Sequence, residues 1–578
     1  MIAQHCAVAV LACSCAMAAL ADSPPADVPA FLPESPFHGF VADHFPGPGT
    51  VGDPAEGNYV GILDSGDEAL LLRIHLIRSA RRSIDIQTYI WTNDECARIV
   101  LYELLQAAQR GVAVRILVDH IGAHRDPEQL AFVSSLHPNI EIKLYRPIGG
   151  MGSPRLPHIL VDLLVPSGSN QRMHLKTFIV DGMLGITGGR NIGNNYFNYS
   201  LGYNFKDRDA YVIGPATSGM SASFEAYWRA PQSFSTHDLR DVAKHIERGV
   251  DRAIPSRDRI YFDDRFRDFD TKASDSSVIQ QTFMDTLAPA DRVTYIADAP
   301  GRKNRRLYCN RWNNGVVTNA MMDLFFDANS SVLIQSPYVI VNRRLANFFQ
   351  DLDDENPDLR IRISTNSYGA ADHLITYATN YRLRPRVVLN HGMEVFEYKP
   401  YPQDLFESLP NAADLAARAK AEGIDRQPYL SIHAKTFVFD SDTVFVGTFN
   451  LDPRSFYLNS EGGLIIEDDG VATAVRESIL RDMSPDNSWT IARNELPLFP
   501  INRTFERLAA RAPIDFWPIR TTSGFELRPG FEPISSEDPD FYEHYRDLGN
   551  FPGGEGPSRA KFIVRFLKVF GKPTTPFL

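Results

Sequence analysis

The chain has 578 residues, of which 44% are hydrophobic and 22% charged, with 71 acidic against 59 basic side chains and a formal net charge of −12. This composition excludes collagen-like, low-complexity and wholly disordered chains. The acidic balance argues against a dedicated duplex-DNA binder, so no nucleic acid is expected as a partner.

The start, Met1 to Ala21, contains no Asp, Glu, Lys or Arg, and its apolar run Val8 to Ala18 is followed by Ala19-Leu20-Ala21. Residues 1–21 read as a cleaved secretory signal, which predicts an exported protein, periplasmic or peripheral on the cell membrane. An extended N-terminal segment, 22–59, follows. Beyond the signal only Cys96 and Cys309 remain. Two are too few for a disulfide framework or a zinc ribbon, so both read as small buried hydrophobes.

A strand is predicted at Ile84 to Tyr89, then a helix over Cys96 to Arg110 with apolar residues at helical spacing and Gly111 as its stop. Strands follow at Val114 to Val118 and Ile140 to Tyr145. Asp119, His120, His124 and Asp126 have metal-like spacing, but a lone cluster in a loop reads as solvated or structural. Met173 to Val180 is another strand, and Asp181-Gly182 is a turn signal between two β-rich runs. Gly188 to Gly193 has the glycine spacing of a phosphate loop, yet Asn194 stands where that loop needs Lys. The segment 231–290 is charge-rich and reads as a partly helical connector. Asn411 to Gly423 reads as a helix inserted ahead of a second motif.

That second motif makes the chain a duplication. Residues 174–191 (HLKTFIVDGMLGITGGRN) and 433–450 (HAKTFVFDSDTVFVGTFN) align without gaps. They share His174/His433, Lys176/Lys435, Thr177/Thr436, Phe178/Phe437, Asp181/Asp440, Gly188/Gly447 and Asn191/Asn450. Upstream, 84–89 matches 333–338, 114–118 matches 361–364, and 140–147 matches 393–400, in the same order. Strand, helix and strand at this spacing give two layered α/β lobes, 60–230 and 291–495, with a C-terminal extension over 496–578.

Within each motif the His and Lys lie on one side of a strand. One imidazole can serve as nucleophile and the other as general acid, because its pKa lies near neutrality. Two lysines and two asparagines supply donors for phosphate oxygens, without a metal or other cofactor. The arrangement suits phosphodiester chemistry if the halves face each other. Asp181 and Asp440 are candidates for the same machinery or for shaping the turn.

H-x-K-x-x-x-x-D followed by six residues and G-x-x-N, twice in one chain, resembles the signature of the phospholipase D superfamily. The resemblance implies two α/β/α sandwich lobes related by a pseudo-twofold axis, with a single active site at their interface. It implies a phosphohistidine on His174, with His433 protonating the leaving alcohol; the roles are interchangeable on sequence alone. It further implies Lys176, Lys435, Asn191 and Asn450 on the phosphate, Asp181 and Asp440 within the catalytic motif, and acids orienting the histidines. The matching acids are Asp209, in Phe205 to Asp209, and Glu461.

Gln87-Thr88-Tyr89-Ile90-Trp91, Gly188 to Gly193, Thr365-Asn366-Ser367 and Asn450 to Ser455 resemble the C-type branch of the bacterial cardiolipin synthases. That likeness implies transfer of a phosphatidyl group to phosphatidylglycerol, with phosphatidylethanolamine as a further lipid substrate. Water as acceptor would make the chain a phospholipase D or an exported nuclease. The terminal stretch 559–578 carries Arg559, Lys561, Arg565, Lys568 and Lys572 and no acid. Its helical spacing of charge and Phe suits either a membrane surface or packing on the body of the protein.

Overall fold

The computed structural model describes residues 35–45, 53–123, 126–154, 171–250, 253–301, 315–511, 517 and 519–553. The signal segment, the basic tail, His124 and Cys309 lie outside them.

The first lobe supplies β1 (Asn58–Leu63), β2 (Ser83–Ile90), β3 (Ala113–Gly122), β4 (Ile140–Tyr145), β5 (Thr177–Val180), β6 (Leu184–Gly188), β7 (Tyr203–Lys206), β8 (Asp209–Ile213), β9 (Ser233–Ser235) and β10 (Ala288–Ala290). The second supplies β11 (Arg292–Ala297), β12 (Ser331–Gln335), β13 (Arg360–Asn366), β14 (Glu394–Tyr398), β15 (Tyr429–Ile432), β16 (Thr436–Phe439), β17 (Thr443–Gly447), β18 (Gly462–Glu467), β19 (Ser488–Arg493), β20 (Thr522–Leu527) and β21 (Tyr545–Gly549).

The duplication is visible in the topology. One sheet runs β10-β1-β8-β6-β5-β2-β3-β4-β9 and the other β11-β18-β17-β16-β12-β13-β14-β19-β20-β21. From β1 and β11 onward the two orders correspond strand for strand through β9 and β19. In both lobes the parallel strands β2-β3-β4 and β12-β13-β14 sit beside an antiparallel hairpin that carries the motif. The strands β20 and β21, within the expected C-terminal extension, continue the second sheet beyond β19.

Local chemistry sets the elements. The helix Glu95–Gln109 begins where the Asp94 carboxylate accepts the Ala97 N–H at 3.1 Å, and it buries Ile99, Val100, Leu104 and Ala108. Gly111 follows with φ +97°, the left-handed position that glycine takes at least cost. Asp468 caps the helix Asp469–Met483 in the same manner. This helix and Thr217–Trp228 pack between the two sheets. There Phe224, Tyr227, Val475 and Ile479 share one core with Val212 of β8 and with Val438, Val444 and Leu464 of the second sheet. Helices Gly66–Ser79 and Glu95–Gln109 cover the outer face of the first sheet, and Val316–Asp327 and Arg343–Glu355 that of the second. The two α/β sandwiches are therefore joined through a continuous apolar core. Segment 231–290 is helical in part and lays Phe266, Phe269 and Phe283 on the first lobe.

Cys96 is buried with a free thiol, as its apolar setting in the helix predicts. Asp119 and His120 are buried and structural. Asp119 accepts the Met173 N–H at 3.0 Å and lies 3.5 Å from Arg172, which steadies the chain immediately before His174. Among the described residues no helix is long and apolar enough to cross a membrane.

Candidate active site

Both motif histidines sit where the lobes meet, and each is held by the opposite lobe. The His174 backbone N–H donates to the Ser460 carbonyl at 2.9 Å, and the next residue, Glu461, accepts Nδ1–H of His174 at 2.8 Å. On the other side β7 pairs in parallel with β15 across the interface, Lys206 opposite Ile432. The His433 N–H donates to the Lys206 carbonyl at 2.8 Å, and the next residue, Asp207, accepts Nδ1–H of His433 at 2.6 Å. A strand pairing on one side and a single bridge, Met173 to Ser460, on the other thus deliver each acid to the other lobe's histidine. With Nδ1 donating, the lone pair of each neutral ring is on Nε2. The side chains of His174 and His433 are 11% and 10% exposed, enough to be reached from a cleft while the acids beneath are sealed.

This corrects the expectation for Asp209. Its carboxylate pairs with Arg73 at 2.8 Å and with Arg190 at 3.6 Å inside its own lobe. The acid on His433 is Asp207, two residues earlier. Residue 209 already belongs to β8, whereas Asp207 lies in the gap between β7 and β8, where the chain crosses to the partner lobe. Local sequence carries no signal for that choice, because the β7–β15 pairing joins residues more than two hundred positions apart.

Of the two readings open for Asp181 and Asp440, the structure shows the turn-shaping one and not the catalytic one. Both adopt a left-handed backbone, φ 55° and 49°, at the hairpin turn. Asp181 accepts the backbone N–H groups of Arg81, Arg82 and Ser83 at 2.9, 2.7 and 2.9 Å. Asp440 repeats this with Asn329, Ser330 and Ser331 at 2.7, 2.8 and 3.0 Å. Each aspartate ties the hairpin turn to the start of β2 or β12, at roughly 16 Å from the lysine by strand rise. They brace the sheets and do not enter the site.

Lys176 and Lys435 fold back so that each ammonium donates to the carbonyl of its own motif histidine, Lys176 at 2.8 Å. Burial pushes Lys176 down to about 7, reinforced by the Lys435 charge, and burial brings Lys435 to about 8 against the pull of Asp207. Burial likewise pushes His174 down to about 4 although Glu461 opposes it, and lowers His433, with Lys435 adding to the effect. Each histidine feels both lysines, so all four groups share one electrostatic site. Burial opposes ionisation of Asp207 and Glu461, but the histidine contacts outweigh it and hold both carboxyls low. Glu461 also accepts from Thr448 Oγ1 at 2.5 Å and Ser455 Oγ at 2.9 Å.

The two asparagines differ. Asn191 Oδ1 accepts the Ile90 N–H at 2.9 Å, and its Nδ2 donates to the Tyr196 hydroxyl at 2.9 Å. Asn450 is buried two residues beyond Thr448, with Oδ1 lacking a partner. Aromatic rings complete the walls. Tyr89 meets His174 edge-on at 5.1 Å, and Tyr196 and Phe205 pack on His433 at 5.3 and 4.5 Å. The repeated glycine has a packing reason: a Cβ on Gly188 would collide with Asp209 and the Arg208 carbonyl, and one on Gly447 with the Gly462 carbonyl. Among the described residues no group of three His, Cys, Asp or Glu is placed to hold a metal ion.

The family described as "Cardiolipin synthase, PLD-like domain" matches residues 73–228 and 321–483, one match per lobe. The chain belongs to this family. It is a phospholipase D-type enzyme, with the fold and the paired site that the duplicated motif implies. Cardiolipin synthase C of Escherichia coli (strain K12) is 29% identical over 436 residues, covering 74% of this chain and 85% of that protein. An uncharacterised protein of Helicobacter pylori (strain ATCC 700392 / 26695) is 33% identical over 437 residues, 74% of this chain and 79% of its own. A solved structure, phosphatidylserine synthase of Haemophilus influenzae Rd KW20, covers 73% of this chain and 86% of its own at 15% identity and a TM-score of 0.47.

Proposed function

We propose that the enzyme transfers a phosphatidyl group from a donor phospholipid to phosphatidylglycerol, forming cardiolipin through a phosphohistidine on His174. The crossed pairs His174–Glu461 and His433–Asp207 carry this reading, because they hold two imidazoles in one cleft with the same tautomer fixed. His174, with its proton affinity lowered by burial, keeps the Nε2 lone pair at neutral pH. That lone pair attacks phosphorus and the bond to the leaving alcohol breaks; His433, which enters this step as the imidazolium protonated on both nitrogens, gives its Nε2 proton to the alcohol oxygen. Asp207 stabilises the imidazolium that supplies this proton.

In the second half, His433 takes the proton of the acceptor hydroxyl. The freed oxygen attacks phosphorus, and the phosphorus–nitrogen bond to His174 breaks. Lys176 and Lys435 stabilise the charge on the phosphoryl oxygens, a charged hydrogen bond contributing about 1.5–3 kcal/mol each. The side-chain amide N–H of Asn450 donates to the same oxygens, while Asn191 acts through the Tyr196 hydroxyl. Phosphatidylethanolamine serves as an alternative donor, and the charge-free 1–21 segment supports export, with the enzyme periplasmic or peripheral on the cell membrane.

The experiment is product analysis by mass spectrometry. Purified enzyme receives labelled phosphatidylglycerol, with and without phosphatidylethanolamine. Labelled cardiolipin is expected; phosphatidic acid as sole product would replace transfer by hydrolysis.

A further inference from the structure

The helix Phe499–Arg511 is turned inside out. Its buried positions include Asn502 and Glu506. Asn502 Nδ2 donates to the Pro497 carbonyl at 2.9 Å, and Glu506 accepts from the Thr521 N–H at 3.3 Å and from the Thr521 hydroxyl. Ile501, Phe505 and Leu508 face outward, 50%, 42% and 49% exposed, and Leu498 just ahead of them is 70% exposed. At about 100° per residue these three helical positions fall within an arc of about 60°. A surface helix ordinarily buries such a stripe and shows its polar face to water. Leu498 moreover holds a left-handed backbone, φ 55°, a strained conformation for leucine.

The border of the stripe is basic. The Arg493 guanidinium lies 3.8 Å from the centre of the Phe499 ring. Arg503 donates to the Leu389 carbonyl at 3.1 Å and to Asn390 Oδ1 at 2.7 Å, and the charges of Arg507 and Arg493 both act on it. Arg386, on the helix Leu374–Asn390 that Arg503 touches, lies near Arg343. Trp517 stacks on Phe505 at 4.7 Å, adding an amphipathic ring at the edge.

We propose that this face docks the enzyme on an anionic phospholipid bilayer, with Leu498, Ile501, Phe505 and Leu508 inserted at the headgroup boundary and the arginines on lipid phosphates. An exposed apolar arc bordered by arginine is the combination such an interface binds. The charge argues against two other occupants: the basic 559–578 segment and a second copy of the same face both bring like charge. The choice of a bilayer rests on the lipid-transfer reading above.

The test uses the full chain with vesicles of phosphatidylcholine, with and without phosphatidylglycerol. The wild type binds the anionic vesicles, and salt weakens the binding. The Ile501→Ser/Phe505→Ser/Leu508→Ser variant lowers the partition coefficient roughly hundredfold. It stays folded, with a melting temperature lowered only modestly by loss of the Phe505–Trp517 stack, since about half of each side chain faces outward. Its turnover of a short-chain, monomeric phosphatidylglycerol is unchanged, which separates loss of docking from failure of the lipid-transfer reading. Vesicle binding of the triple variant equal to wild type overturns the proposal. So does loss of binding on truncation at residue 553 with the triple variant unaffected, which would assign docking to the tail. A change of oligomeric state in the triple variant without a change in vesicle binding would make the face a contact between copies, and also overturns it.

Discussion

Replacing Asp207 by Asn isolates the crossed acid at almost constant volume. The carboxylate accepts Nδ1–H of His433 at 2.6 Å and the Arg208 N–H at 2.9 Å, and it is 2% exposed. Losing the charge removes one charge-assisted hydrogen bond to the imidazolium, about 1.5–3 kcal/mol. At about 1.4 kcal/mol per factor of ten, kcat falls roughly 10- to 150-fold. The amide also accepts or donates, so it fixes the ring less firmly in the tautomer with Nε2 unprotonated. The loss therefore lies toward the upper end.

Asp209→Asn is the matched control. It breaks the buried pairing with Arg73 and Arg190 and costs about 3–5 kcal/mol of stability, while kcat of the folded fraction is retained. The assay is single-turnover transfer together with denaturant unfolding for both variants. Full kcat in Asp207→Asn, with a folded Asp209→Asn inactive, would refute the crossed arrangement.

The turn aspartates predict a different phenotype. Asp181→Ala loses about 2–3 kcal/mol of stability with unchanged kcat below the melting transition, because three backbone N–H groups lose their acceptor. Asp440 is held at about 2, where burial opposes and the backbone N–H groups at 329–331 outweigh it. Its folded pKa lies below the ordinary aspartate value of 3.8, so its contribution is present above about pH 4 and is lost as pH falls toward 2. Asp440→Asn, which tolerates the left-handed turn, should flatten that part of the acid-unfolding profile. With Lys176 near 7 and Lys435 near 8, kcat/KM should fall on the alkaline side as the ammonium groups lose their protons. Lys176→Arg, which stays protonated, should move that limb from about 7 toward the Lys435 value of about 8, even at a lower maximum rate. An alkaline limb unmoved by the substitution would remove Lys176 from the titration.

What the sequence showed and what it hid divide along contact range. The duplicated order of strands was legible because each lobe repeats the same apolar runs at the same spacing, and the capped helix at 95–109 because Asp94 and Gly111 punctuate it. His174, Lys176, His433 and Lys435 were legible as pairs alternating on a strand. Asp207 was not, since nothing in Phe205-Lys206-Asp207-Arg208-Asp209 distinguishes the acid that crosses the interface from the one that pairs with Arg73. Asp181 and Asp440 carry the same residue type at the same offset as a catalytic acid would. Only the fold shows that their carboxylates face backbone N–H groups at the far end of the hairpin. The outward stripe on the helix Phe499–Arg511 was likewise hidden, because its apolar spacing reads equally well as a buried face.

Trapping the covalent intermediate tests the central claim most directly. His433→Asn is mixed with phosphatidyl-p-nitrophenol, whose leaving group needs no proton, then quenched and mapped by peptide mass spectrometry. Formation of the adduct then does not need His433, whereas its breakdown by an alcohol does, so the phosphatidyl group should accumulate on the peptide carrying His174 and be absent from the His174→Asn variant. An adduct on His433 in the wild type, or product formed with no histidine adduct at any time point, would contradict the account.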